Sequence, residues 1–205
     1  MSKTESKGIL PKDAVRFFGL AEEERSAVRR QRTVLLTDQD MDGCTSSEFI
    51  KDFFILVAEK TKKPISVIIS SEGGSLWSCL AIIRAIRYAQ SRDIKVNGHV
   101  FGNAFSAAFL VLQACNHRTM GSESILMMHG ISHFPFGDSK NIKKDQSMID
   151  SVSSMFCGML ADRNTSENSQ YKDSEYLMTL LEESTPNYFD AQLALESGWI
   201  DEIDE

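Results

Sequence analysis

Short apolar runs alternate with helix-length amphipathic stretches along most of this chain. Thr33 to Thr37, Ile65 to Ser70, Val96 to Phe101 and Ile125 to Met128 read as strands. Between and around them the 3.6-residue period marks helices over Lys12 to Arg30, from Ser46 or Ser47 to Lys60, and over Leu76 to Ser91. Further helices read from Ser106 to Ala114, Ile142 to about Arg163, Ser174 to Glu183 and Asp190 to Ser197. Gly198 to Asp201 reads as a cap and a short strand. Strands that are apolar on both faces and are joined by helices fit a mainly parallel sheet covered by helices. The expected fold class is therefore α/β, with a buried sheet and flanking helices.

The chain has 205 residues, of which 42% are hydrophobic and 25% charged. That is enough for one domain with a substantial core. A net charge of −7 argues against nucleic acid as a partner, because phosphate binding needs clustered Lys and Arg. No apolar stretch is long enough to span a bilayer, the longest running from Ala104 to Ala114, and the polar N-terminus has no secretory leader. Cys44, Cys79, Cys115 and Cys157 are widely spaced, without a Cys-x-x-Cys pair, so they read as reduced thiols in a cytoplasmic protein. The spacing signals no metal site. Asp38-x-Asp40-x-Asp42-Gly43 copies the start of a calcium loop but puts Phe49 where the bidentate Glu belongs, and reads as a turn. His99, His117 and His133 read as surface or loop residues. Lys140, Lys143 and Lys144 read as a solvated helix face.

Three segments carry chemistry. Gly73-Gly74 follows the strand-like run that starts at Ile65. Gly102-Asn103-Ala104-Phe105-Ser106 leads from a strand into an apolar helix that Ser106 opens. His129 closes the apolar run Ile125-Leu126-Met127-Met128. Acyl transfer from a serine needs an activated hydroxyl, a base for its proton, and N–H groups aimed at the oxyanion. Ser106, His129 and the diglycine supply one candidate for each. The N–H of Ala107, after the serine, is a second candidate oxyanion donor. This is not the Gly-x-Ser-x-Gly elbow of other hydrolases.

In this order the motifs resemble the ClpP family, the proteolytic subunit of the Clp ATP-dependent protease. That family's pattern is Asn-Ser-Pro-Gly-Gly, Gly-x-Ala-Ala-Ser-Met, Met-Ile-His-Gln-Pro and a closing Ala-x-Glu-Ala-x-x-x-Gly-Leu-Ile-Asp. This chain has Ser70-Ser71-Glu72-Gly73-Gly74, Gly102-Asn103-Ala104-Phe105-Ser106-Ala107, Met127-Met128-His129-Gly130, and Ala191 to Asp201 ending in Gly198-Trp199-Ile200-Asp201. The match runs from about Thr33 to the C-terminus. The resemblance implies a ClpP/crotonase-type fold with a protruding helical handle. It implies Ser106 as nucleophile, His129 as general base, and Gly74 and Ala107 as oxyanion-hole donors. Counting back from the closing motif makes Glu182 the third member of the triad, with Glu183 one residue off and Asp190 and Asp173 as further candidates.

The implied assembly is a homo-oligomeric ring, as stacked heptamers, or a ring with related ClpP-like subunits. An AAA+ unfoldase would supply ATP hydrolysis, since this chain has no phosphate-binding GxxxxGK, and the substrates would be unfolded polypeptides. No cofactor or membrane is implied. Residues 1–32 form an N-terminal segment, a candidate gating or partner region, ahead of a protease domain over 33–205. Glu72 replaces the motif's proline, Phe105 stands beside the nucleophile where a small residue is usual, and Gly130 replaces glutamine. These departures keep two alternatives open: a ring subunit without turnover, and an acyl-CoA hydratase or isomerase of the crotonase type.

Overall fold

A computed structural model describes residues 22–37, 41–131, 139–167, 169–183 and 185–204. Most of the N-terminal segment, Asp38 and Asp40 of the acidic turn, and His133 lie outside the described residues, as do the side chains of Lys140 and Lys143. The described residues form helices α1 (Glu22–Arg30), α2 (Gly43–Val57), α3 (Leu76–Gln90), α4 (Ala107–Gln113), α5 (Ser139–Arg163), α6 (Ser174–Glu182) and α7 (Ala191–Glu196). The strands are β1 (Thr33–Leu36), β2 (Ile65–Ser71), β3 (Val96–Phe105), β4 (His117–Gly121), β5 (Ile125–Met128), β6 (Asn187–Phe189) and β7 (Glu202–Asp204).

The strands form one sheet in the order β1-β2-β3-β4-β7, all parallel, with β5 added to the far end of β3 and β6 antiparallel to β5. The expected α/β class with a mainly parallel sheet is what the chain adopts. Ile65, Val67 and Ile69 of β2 and Val96 of β3 are fully buried under α2 and α3, whose Phe53, Leu56, Ile82 and Ile86 are sealed from solvent. Phe49 and Phe53 stack at 5.6 Å along α2. On the other side Trp199 is fully buried between Phe109, Tyr171 and Phe189. Arg25 and Arg29 of α1 reach Asp52 of α2 at 2.7 and 2.6 Å, tying the first described helix to the domain.

The structure corrects several boundaries. His117 to Gly121 is a strand that apolar patterning does not signal, because its polar residues are satisfied inside the fold. Arg118 is fully buried and forms a two-pronged pair with Asp201, at 2.7 and 3.1 Å, plus a 2.5 Å bond to Gln113. Those bonds outweigh its side chain's polarity, and together with Arg163 they hold the Asp201 carboxyl below the usual range despite its partial burial. The last strand falls at Glu202–Asp204 rather than within Gly198 to Asp201. His99 is not on the surface: it sits inside β3, 7% exposed, with Nδ1 2.6 Å from Thr119 Oγ1 on the neighbouring β4. Three of the four cysteines are buried, and all are free.

β3 carries the main irregularity. Ile69 of β2 pairs with Val100, but Ser71, two residues on, pairs with Ala104, four residues on. The extra residues bulge at Gly102, where φ is +106°, a conformation that glycine adopts without strain. Ser124 Oγ accepts the Gly102 N–H at 3.0 Å and fixes the bulge. Before it β3 pairs with β4, and after it with β5. The strand therefore runs on to Phe105, beyond its expected end at Phe101, and delivers Ser106 beside the end of β5.

Candidate active site

Ser106 occupies the corner between β3 and α4. Its φ of +53° and ψ of −118° are strained for a residue with a side chain. Such a corner persists only when its surroundings fix it. Its N–H bonds Met127 O of β5 at 2.8 Å, and Gly73 packs against it from β2. A Cβ on Gly73 would lie 2.6 Å from Phe105 O, 2.8 Å from Ala107 N and 2.9 Å from Ser106 Cβ. The first glycine of the diglycine is thus required by close approach to the serine corner, as well as by its own φ of +96°.

The second glycine has a different task. Gly73 O accepts from Met41 N at 2.5 Å and Ser75 N donates to Met41 O at 2.8 Å, a single parallel bridge. In that pattern the groups flanking Gly74 turn to Met41, and the N–H of Gly74 points the other way. Ala107 N–H is the first of α4 and has no acceptor within the helix. Asp42 caps α2 by accepting Thr45 N at 2.8 Å, which agrees with the reading of its motif as a turn.

Ser106, Ala107, Gly74 and His129 line one cavity of about 130 Å³. Among the described residues its walls are Leu76, Phe109, Leu110, Met128, Ile131, Ser153, Phe156, Leu160 and Leu181, with no charged side chain. Cys79 also lines it, but burial pushes its thiol up to about 12, so it stays protonated and is no rival nucleophile. Phe105, which the sequence places beside the nucleophile, turns out of this cavity and meets Tyr188 of β6 edge-on at 6.0 Å.

His129 follows β5 directly, and both Ser106 and His129 are half-buried. Among the described residues no hydrogen bond joins the serine hydroxyl to the ring. The histidine Nδ1 instead lies 2.5 Å from the carbonyl oxygen of Gly130. A carbonyl only accepts, so Nδ1 carries the proton and Nε2 keeps its lone pair. That is the tautomer a general base requires.

The carboxylates lie elsewhere. Glu182 is the exposed last residue of α6 and Glu183 its exposed cap. Asp173 caps α6 by accepting Glu175 N at 2.8 Å, and Asp190 caps α7 by accepting Leu193 N at 2.8 Å. Among the described residues none of these carboxylates is brought to the His129 ring. The histidine–carboxylate pairs among the described residues belong to His99 and His117. Ser106, His129, Gly74 and Ala107 thus line one cavity, and Glu182 directly follows Leu181, another of its lining residues. The short strand β6 was missed altogether, and its pairing with β5 is what could have indicated the residue across from His129.

Comparison with known proteins agrees with this geometry. The ATP-dependent Clp protease proteolytic subunit 2 of Thermobifida fusca (strain YX) is 26% identical to this chain over 183 residues, which cover 88% of this chain and 85% of that protein. The model of the Clp protease family matches residues 21–205, a span that contains every described residue. The chain that sets a strained serine and a tautomer-fixed histidine around one apolar cavity belongs to the Clp protease family.

Proposed function

We propose that this chain is a serine endopeptidase, the proteolytic subunit of an ATP-dependent Clp-type protease. The observation that carries the reading is the shared cavity: the strained Ser106 and His129 line it, and Gly74 and Ala107 border it. Ser106 Oγ attacks the peptide carbonyl as His129 Nε2 takes its proton. Gly74 and Ala107 N–H groups receive the oxyanion. The imidazolium returns the proton to the leaving amine, the C–N bond breaks, and an acyl-serine remains. Water then attacks that ester and loses its proton to Nε2, the ester C–O bond breaks, Ser106 Oγ takes the proton back from the imidazolium, and the acid product leaves. The apolar walls suit an uncharged, apolar side chain of the substrate next to the scissile bond.

Membership of the family supports oligomeric assembly with ClpP-like subunits and an ATPase partner. In this reading the chain forms stacked rings, residues 33–205 make up the protease domain, and the preceding segment gates it or meets the unfoldase. The four free cysteines suit the cytoplasm. No helix of the described residues is long and apolar enough to cross a membrane.

The test is fluorophosphonate labelling of the purified, assembled protein, with the modified peptide mapped by mass spectrometry and assembly checked by light scattering. Label on Ser106 that is absent from Ser106→Ala and His129→Ala is the expected result. No label on assembled protein would sink the reading in favour of a ring subunit without turnover. A CoA-ester binding assay that gave tight binding would favour the crotonase-type alternative.

A further inference from the structure

We propose that Ser78, a buried serine in the first turn of α3, is a positioning residue for the oxyanion hole: its hydroxyl fixes the Met41–Asp42 segment, which in turn aims the Gly74 N–H. The inference rests on the serine-hydrolase reading above.

The need for such a group starts with the diglycine. Gly73 and Gly74 have φ of +96° and +135°, and two glycines in a row let the peptide between them turn at little steric cost. Gly74 is exposed where it borders the cavity. An oxyanion donor is effective only when its direction is set before the charge develops. Here bonds from outside the diglycine set it. Within the planar trans peptide that joins the two glycines, the Gly73 carbonyl and the Gly74 N–H point in opposite directions. Met41 N–H holds that carbonyl at 2.5 Å, and the N–H on the far side is thereby aimed. Ser71 Oγ accepts the Gly73 N–H at 3.2 Å, so both main-chain polar groups of Gly73 are engaged.

The aim of Gly74 then depends on the placement of Met41. Its side chain is fully buried, and its carbonyl accepts Ser75 N–H at 2.8 Å. The next residue is tied to two helices. Asp42 O accepts Ser46 N–H of α2 at 3.1 Å and the Ser78 hydroxyl of α3 at 2.9 Å. The first bond belongs to the start of α2 itself. The second crosses between residues 36 apart in the chain and joins the segment to the helix that the diglycine leads into. Ser78 is buried. An alanine would fill the same space with no hydroxyl to satisfy, so what the serine adds is this bond.

Ser78 does not line the cavity, so it acts on the reacting atoms only through Asp42, Met41 and Gly73. The Ala107 donor is placed separately, by the serine corner and by the Cys79 thiol, which donates to Ala107 O at 3.4 Å. A fault at Ser78 therefore displaces one donor of two.

The experiment resolves fluorophosphonate labelling of assembled wild type, Ser78→Ala and Ser78→Thr into probe binding (KI) and maximal labelling rate (kinact). A donor that acts on the forming oxyanion changes kinact alone. Removing one outright costs about 10²–10³-fold, so misplacing one in Ser78→Ala is expected to lower kinact about tenfold, with KI within about twofold. Ser78→Thr keeps the hydroxyl and is expected to stay within about threefold of wild type. Looser packing that left the donor in place would not lower kinact selectively. An unchanged kinact in folded, assembled Ser78→Ala overturns the inference while the hydrolase reading stands. So does a loss confined to KI, or a folded Ser78→Thr as slow as Ser78→Ala. If wild type does not label at all, the hydrolase reading fails. The lock is then judged by hydrogen exchange on the same assembled proteins. Ser75 N–H, held by Met41 O, is expected to exchange at least about fivefold faster in Ser78→Ala, and equal exchange overturns the inference.

Discussion

His99 and His129 make an instructive pair. His99 lies in β3 and His129 directly follows β5, and both have Nδ1 engaged. His99 has the relay usually associated with catalysis: its Nδ1 meets Thr119 Oγ1 at 2.6 Å, and Thr119 Oγ1 donates to Asp204 at 2.8 Å. Its Nε2, however, is buried without a partner. His129 has its Nδ1 on a backbone carbonyl and opens onto a cavity shared with a strained serine. A relay to a carboxylate therefore does not by itself make His99 a candidate base, whereas access to a nucleophile in a cavity makes His129 one.

Exchanging the two histidines for glutamine is the strongest test of that contrast. His129→Gln removes the base and is expected to abolish labelling of Ser106, a loss on the order of 10³-fold or more. His99→Gln, in the same labelling assay, is expected to stay within about twofold, since His99 lies in the β3–β4 pair and does not line the cavity. Equal losses in two folded variants would erase the distinction.

The second test acts on the group behind the ring. Gly130→Ala forces its segment away from Leu181 O, and with it the carbonyl that orients His129. Labelling is expected to fall by about tenfold, the order of loss produced by small misplacements of a catalytic group. Unchanged labelling in a variant with normal assembly would show that the carbonyl's position does not matter.

The residues that made this contrast legible in the sequence were the ones with strong local signals. The run ending at His129 was read with its true boundaries, Ile125 to Met128, because four apolar residues end abruptly at a polar one. Gly73-Gly74 stood out because nothing but a close backbone approach or a positive φ explains a diglycine after a strand, and both are present. What stayed hidden was non-local. β4 starts His117-Arg118-Thr119, which reads as a loop until Asp201 and Gln113, far apart in the chain, neutralise Arg118. β6 is three residues long and follows a proline, too short for any period to register. Its pairing with β5, which runs to Met128 and Asn187, joins the segment after α6 to the strand that ends at His129. His99 lies between apolar neighbours that alternate too weakly to show which face it takes.

A third test reads the pH dependence of stability. Burial holds the His99 imidazole below its ordinary value, and His117 adds to this, while Asp204 and Glu202 pull the other way. The unfolded chain takes up its proton near the ordinary value of 6.5, and the folded chain resists until a lower pH. Between the two values the unfolded state binds more protons, so stability is full above 6.5 and is lost as pH falls through that window. The urea midpoint is expected to drop between about pH 7.5 and about pH 5.5, and His99→Gln is expected to flatten that drop.

The smallest effect belongs to Asp204, the carboxylate end of the relay at His99. Its side chain is 51% exposed, and it contacts the ring only at 3.8 Å, through the intervening Thr119. Water screens such a charge, so Asp204→Asn should cost less than about 1 kcal/mol in urea unfolding at neutral pH. The amide still accepts the Thr119 hydroxyl, which keeps Thr119 Oγ1 turned to accept from His99 Nδ1 and leaves the tautomer in place. The lost charge acts only when the imidazole is protonated, so the variant's deficit should grow as pH falls below 6.5. Labelling of Ser106, at the other histidine's cavity, should not respond. A loss of several kcal/mol at neutral pH would instead mean that the relay holds β7 onto β4, and the resemblance between the two histidines would end at their shared Nδ1 protonation.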